Sequence, residues 1–182
     1  MAANDAWANH RLLGACLELP HAELVRTRVS FFPSILGTLN HIVTVDWFYV
    51  DALERALAGQ PPNEAPHRFF EPEEPFDTGP ALKNAQSEVD RRLLALCASL
   101  TDARLGASVT ILRRAGPSTD SATRILAHLF QHQIHHRGQV HAMLAGTSAR
   151  PPPLDEFFCA GDAGLRAAEL AALGLSESAI WE

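Results

Sequence analysis

The chain has 182 residues, of which 47% are hydrophobic and 20% charged, so it is long enough for one domain with a sizeable core. Its net charge of −6 and its scattered arginines argue against a nucleic-acid-binding protein, because such proteins cluster their basic residues. The first residues lack the pattern of a signal peptide, and no apolar run approaches the roughly 20 residues of a membrane helix, so we expect a cytoplasmic protein with no membrane partner.

The N-terminal part of the chain predicts one amphipathic helix. Apolar residues recur at helical spacing up to about Leu19, and either Asn4 or Asp5 could cap the start of this helix. Pro20 then ends it. A short helical turn is expected over residues 21–26.

Two further long helices are predicted in the middle of the chain. Pro33 fits the first position of a helix that continues to about Leu57 with apolar residues every three or four positions. Residues 59–80 show no periodicity and contain many Pro, Glu and Phe, which predicts a long loop. A regular apolar stripe over residues 82–100 predicts the third long helix.

The segment that follows the third helix is ambiguous. Within residues 101–117, residues 107–112 (ASVTIL) are compatible with a short strand or an extended connection. Residues 118–121 offer several caps for a fourth long helix that ends near Leu144, with Gly146 just beyond it.

Four long helices joined by loops predict an all-α fold, a four-helix bundle. The bundle is assigned to residues 1–160. Helical patterns over residues 163–173 and 176–181 predict a short C-terminal helical extension, residues 161–182, packed on the same domain.

Histidine is the one reactive side chain that is concentrated anywhere: five of the nine His fall between positions 128 and 141. His132 and His136 are four residues apart, so they lie one turn apart on one helix face, where two imidazoles can bind one metal ion. The same face carries the apolar residues Ile125, Leu129, Val140 and Met143. The pair therefore points into the protein, where a metal ion would offset the cost of burying two unpartnered imidazoles.

Two ligands make a weak site, and spacing alone leaves the third ligand open. His41 lies inside the second long helix, but His10 in the first helix also fits. His128 and His135 border the proposed face and are candidates for surface residues, supporting groups or alternative ligands.

Three stretches of the chain resemble the DinB/YfiT-like superfamily of metalloenzymes. They are Ala6-Trp7-Ala8-Asn9, residues 34–42 (SILGTLNHI) continuing to Asp46-Trp47, and residues 132–139 (HQIHHRGQ), the most specific of the three. The resemblance extends over about residues 5–160. It implies a four-helix bundle in which one His of the second helix and the HxxxH pair of the last helix bind a divalent metal ion, and carried over by position these are His41, His132 and His136.

The resemblance also implies a cofactor and a class of reaction. Relatives often hold zinc or nickel, and iron and manganese are further options. Three imidazoles suit several of these divalent ions alike. Many relatives are homodimers, and characterised ones include thiol-dependent S-transferases and a mycothiol-dependent isomerase. The implied function is thus a metal-dependent S-transfer or isomerisation that uses a low-molecular-weight thiol and a small-molecule substrate.

Two alternatives stay open at this point. The protein could be a metal-dependent hydrolase, or a non-catalytic stress protein that binds a metal or small ligand. No general base stands out: Asp46 lies about 140° around the helix from His41 and should not face the same ion. Arg137 and Gln139 are the nearest polar candidates for a catalytic role, as substrate contacts or as hydrogen-bond partners of the ligands.

Overall fold

The protein is mostly helical in the computed structural model, which describes residues 1–181. The helices and strands, in chain order, are α1 (Ala2–Cys16), α2 (His21–Leu24), α3 (Ile35–Leu57), α4 (Gly79–Ala98), α5 (Asp102–Leu105), β1 (Ser108–Arg113), β2 (Gly116–Ser121), α6 (Ala122–Leu144), α7 (Ala163–Ala172) and α8 (Glu177–Trp181), with single 3-10 turns at Pro66–Phe70 and Ala160–Asp162. Within the described residues, no helix combines the length and the apolar character needed to cross a bilayer.

Hydroxyl side chains cap the start of the long helices α3, α4 and α6. Ser34, rather than Pro33, precedes α3, and its Oγ accepts a hydrogen bond from the Gly37 backbone N–H at 2.9 Å. Thr78 caps α4 and Ser121 caps α6 in the same way. Such caps satisfy backbone donors that have no partner inside the helix. The predicted position of the α6 cap, within residues 118–121, is confirmed.

The predicted start of α1 is wrong. The helix begins at Ala2, so Asn4 and Asp5 lie inside it and not at its cap, and both side chains are buried. Met1 stands at the N-cap position without a side-chain hydrogen bond. Asn4 and Asp5 therefore belong to the interior of the protein.

The short strand that is one of the two options for residues 107–112 is present as β1, but the all-α prediction did not include β2 or the β-hairpin that the two strands form. β1 and β2 pair antiparallel from Ser108↔Ser121 to Arg113↔Gly116. Val109 and Ile111 are buried against the core, and their neighbours along β1 are more exposed. This alternation is typical of a half-buried strand. Gly116 adopts φ 115°, a conformation that favours glycine, at the turn of the hairpin.

The four longest helices pack in pairs around the core. α1 and α3 each contact both α4 and α6. One cluster of core residues is formed around Leu53, Val89 and Leu129, and a second around Leu12 and Ile42. The contact between α3 and α6 is the one that matters for the histidines, because His41 lies on α3 while His132 and His136 lie on α6.

The C-terminal segment packs on α1. Leu170 of α7 is buried in a cluster with Trp7 and Phe157. Arg11 of α1 forms ion pairs with Glu156 and Glu169. Residue 182, the end of the predicted extension, lies outside the described residues.

Candidate metal centre

Three imidazoles from two helices converge on one point. One ring nitrogen from each of His41, His132 and His136 can be chosen so that all three lie within 4.8 Å of one another. The Nε2 atoms of His41 and His132 are 3.0 Å apart. The three residues that the sequence analysis assigned to a metal site are therefore positioned to bind a metal ion.

The spacing of the nitrogens in this group fits a metal ligand set. Nε2 of His132 is the nitrogen that faces His41, while Nδ1 of His132 is buried and has no hydrogen-bond partner among the described residues. Two Nε2 atoms at 3.0 Å can share only one proton, so at least one of them offers a lone pair to its neighbour. Nitrogen ligands around one tetrahedral zinc ion lie about 3.3 Å apart, which is close to this spacing.

The protein environment keeps these imidazoles neutral. Burial, together with repulsion from the neighbouring histidines, lowers the pKa of His41 to about 4 and that of His132 to about 3. Burial also lowers the pKa of His136, although the hydrogen bond that His136 donates to Gln139 opposes this. Because only a neutral imidazole has a lone pair for a metal, the group is prepared for binding at neutral pH.

Gln139 holds His136 in one orientation. Its side-chain Oε1 lies 2.8 Å from Nδ1 of His136, so Nδ1–H donates and Nε2 is left for a metal. Its Nε2 lies 3.2 Å from Nε2 of His135, which is exposed. Gln139 is therefore a hydrogen-bond partner of a metal-ligand candidate, which is one of the two roles predicted for it from the sequence.

His128 and His135 lie outside the group of three. Both are exposed. The His128 ring packs against Tyr49 with 5.1 Å between ring centroids, and the His135 ring packs against His136 at 4.8 Å. They border the group, as the helical geometry predicted, without joining it.

An aromatic side chain that the sequence analysis did not single out covers the group. The Phe32 ring lies 4.3 Å from the His41 ring and 5.7 Å from the His136 ring, measured between centroids. Phe31 packs edge-on against Phe32 at 4.9 Å and is itself exposed. No local pattern announces this contact, because residues 31 and 32 lie in an irregular segment before α3.

Arg137, the other polar candidate for a catalytic role, makes its hydrogen bonds in the interior of the protein. Its guanidinium is buried, forms an ion pair with Asp5 and donates to Asn9 and to the Gln133 side chain. All of its described polar partners are therefore inside the protein.

This arginine belongs to a buried polar cluster with members on all four long helices. The members are Asp5, Asn9, Asp46, Gln86, Asp90, Gln133 and Arg137. Gln86 and Gln133 both donate to Oδ2 of Asp46, and Gln86 and Asn9 both donate to Oδ1 of Asp90. Asp46 therefore points into this cluster, in agreement with its predicted angle from His41.

The charge of the polar cluster is unbalanced, since three carboxyls face one arginine. Burial, with repulsion from Asp5, raises the pKa of Asp90 to about 7 and raises the pKa of Asp46 well above its usual range. The sequence did contain a signal for this cluster. Three pairs of polar residues are spaced four apart on otherwise apolar helix faces, namely Asp5 with Asn9, Gln86 with Asp90 and Gln133 with Arg137.

The model of the DinB family matches residues 1–162 of the chain. A search of curated proteins finds no match.

Proposed function

The chain belongs to the DinB family, and we propose that it binds one divalent metal ion through His41, His132 and His136 and uses that ion in a thiol-dependent transfer or isomerisation reaction. The observation that carries the proposal is the convergence of three neutral imidazoles from α3 and α6 within 4.8 Å. Zinc and nickel are the ions we expect first. We also propose that the four long helices form the four-helix bundle predicted from the sequence.

A divalent ion held by these three histidines would act as a Lewis acid and would lower the pKa of a bound thiol or water. Two neighbouring residues support the histidines. Gln139 orients His136, and the Phe32 ring excludes water from the side of His41 that it covers. The group that meets there consists of three imidazoles with no carboxylate.

Three imidazole ligands around a divalent ion suit either a thiol or a water as the nucleophile, and the resemblance to thiol-dependent members of the family favours the thiol. A thiol has an ordinary pKa near 8.5, so modest acidification suffices to make it a thiolate. A water nucleophile starts from a far higher pKa, which a zinc ion bound by three histidines can lower to about 7, so the reaction has to be tested with both nucleophiles.

Metal content of the protein purified without an affinity tag tests the site. We expect about one ion per chain in the wild type and almost none in His132→Ala, because two imidazoles bind weakly. His135→Ala is the matched control, since it removes a neighbouring imidazole from the same helix, and it should keep the metal. Full metal content in His132→Ala would refute the assignment.

The reaction needs a separate test. The metal-loaded protein is screened with low-molecular-weight thiols and small electrophiles, with and without a chelator. We expect turnover that needs both thiol and metal. Metal-dependent ester hydrolysis without a thiol would instead identify a hydrolase, and metal binding without turnover in either screen would identify a binding protein.

A further inference from the structure

A groove beside the histidine group is lined by the segment before α3 and by the C-terminal half of α6. Its volume is about 550 Å³, within the range of small-ligand sites. From the segment it is lined by Arg26, Arg28 and Phe31, and from α6 by Gln139, Ala142 and Met143, among others.

Two of the lining residues connect this groove to the histidine group. Gln139 is hydrogen-bonded to His136. Phe31 packs on Phe32, whose ring lies over His41. A ligand seated in the groove therefore has one end beside the side chains that contact the imidazoles.

The charge in the groove is positive, in a chain of net charge −6. Arg26 and Arg28 are the charged side chains among its described lining residues. Both bind Glu23, with N···O distances of 3.1 and 2.6 Å, so one carboxylate balances two guanidiniums. One positive charge remains for a ligand.

The two arginines differ in how they are held. Arg28 also donates to the backbone carbonyls of Glu23 and Arg26, so it is fixed in the loop. The Arg26 side chain is 66% exposed and makes one described ion pair, so it has guanidinium N–H groups left for a ligand. Guanidinium is the side chain best suited to bidentate binding of carboxylate or phosphate.

We propose that this groove binds a small organic anion, with its carboxylate or phosphate on Arg26 and Arg28 and its apolar part against Phe31 and Met143. In combination with the proposed function, it is the substrate-binding site beside the metal. The substrate is then a small anion with an apolar part, whose other end reaches toward the histidine group.

Three probes test the groove: 4-phenylbutyrate, phenyl phosphate and the neutral 4-phenylbutanamide, each titrated into the full-length protein and followed by NMR shifts of the Gln139 and Phe31 amides. We expect saturable binding of an anion and at least tenfold weaker binding of the amide. The stronger of the two anions identifies the preferred group. Equal binding of amide and anions, or no saturable binding of either anion, would overturn the proposal.

Two variants locate the site without disturbing the core. Arg26→Gln should weaken anion binding about tenfold, whereas Arg124→Gln, which removes an exposed arginine outside the groove, should not. Ala142→Phe fills the groove from an exposed helix position and should abolish binding, whereas Ala127→Phe on the same helix should not. Unchanged anion binding in both Arg26→Gln and Ala142→Phe would refute the site.

The same titration on chelator-treated protein separates this proposal from the metal site. Arginine-dependent anion binding that persists after chelation would support the groove by itself, whereas failure of the untreated protein to bind any divalent ion would contradict the proposed function and leave the groove intact. Metal binding by the histidines, together with anion binding that does not change in Arg26→Gln, would support the proposed function and contradict the groove.

Discussion

The amide of Gln139 is the side chain on which the geometry of His136 depends. A ligand histidine whose second nitrogen is hydrogen-bonded has one tautomer and one ring orientation, both set before the metal arrives. His132 has no such partner for its buried Nδ1 among the described residues. Of the two proposed ligands on α6, His136 is therefore the one whose tautomer and ring orientation are fixed by a hydrogen bond.

Replacing Gln139 by alanine should therefore weaken metal binding without abolishing it. We expect an affinity about 10 to 100-fold lower, since hydrogen bonds behind a ligand typically contribute that much. Competition with a chromophoric chelator measures the change. Gln131→Ala, an exposed glutamine on the same helix, is the control, and equal affinities of the two variants would contradict the role given to Gln139.

Asp90 makes the stability of the protein depend on pH. Its pKa is raised from 3.8 to about 7, so between these values the folded protein keeps a proton that the unfolded chain has released. Its contribution to the free energy of unfolding must therefore fall as pH rises through this range. Asp90→Asn cannot titrate and keeps an acceptor oxygen for Asn9 and Gln86.

We expect the Asp90→Asn variant to gain stability relative to the wild type as pH rises from 5 to 8, by on the order of 2 kcal/mol. Urea unfolding at several pH values measures this. Asp120→Asn, at a more exposed carboxyl on β2, is the control. A constant difference between Asp90→Asn and wild type across the pH range would contradict the raised pKa.

How far the site could be predicted depends on the distance in sequence between its parts. His132 and His136 follow from helix geometry alone, because four residues make about one turn. His41 came from the family resemblance, since spacing within one helix says nothing of its neighbour. Phe32 contacts His41 from the irregular segment just before α3, and Asp5 contacts an arginine 132 residues later, so helical periodicity encodes neither contact.

Helix α6 presents different chemistry on two of its sides. The histidines lie toward α3 and the segment at Phe32, whereas Gln133 and Arg137 bind the buried polar cluster. Since these residues alternate along the same turns, the polar cluster fixes the rotation of α6. The orientation of the metal ligands then depends on contacts to α1, α3 and α4.

Breaking the ion pair between α1 and α6 should be costly. Arg137→Met leaves Asp5 buried without its cation, and we expect the free energy of unfolding to fall by about 3 to 5 kcal/mol. The double variant Asp5→Leu, Arg137→Met should lose less than the single one, because no uncompensated charge remains. Arg124→Met, in an exposed pair, should cost less than about 1 kcal/mol. An equal or larger loss in the double variant would show that the pair itself stabilises the fold.

The elements were predictable where their apolar periodicity is long and regular. α3 and α6 each have 23 residues, and their predicted spans differ from the observed ones by only a few residues. The hairpin has strands of six residues, and β2 (GPSTDS) has no apolar residue apart from its proline to reveal a strand. Its pairing with β1 through backbone hydrogen bonds leaves little trace in the sequence.

At the scale of the whole molecule, the C-terminal segment shares the core with α1. Leu170→Ala should therefore lower the free energy of unfolding by about 2 to 4 kcal/mol, because it opens a cavity beside Trp7 and Phe157. Leu165→Ala, at a 57% exposed position of the same helix, should cost less than about 0.5 kcal/mol. Both variants should retain the metal, and a loss of metal in Leu170→Ala would show that α7 also supports the site.

The homodimer implied by the family resemblance stays a prediction, which analytical ultracentrifugation can check.

The partners of α1 lie far along the chain, and this has a consequence for synthesis on the ribosome. Asp5 binds an arginine 132 residues later, and Arg11 binds glutamates 145 and 158 residues later. At typical translation rates the ribosome needs on the order of 10 seconds to make the intervening chain. The first helix therefore emerges well before its final contacts exist, so Trp7 stays uncovered by Phe157 and within reach of chaperones until translation is nearly complete.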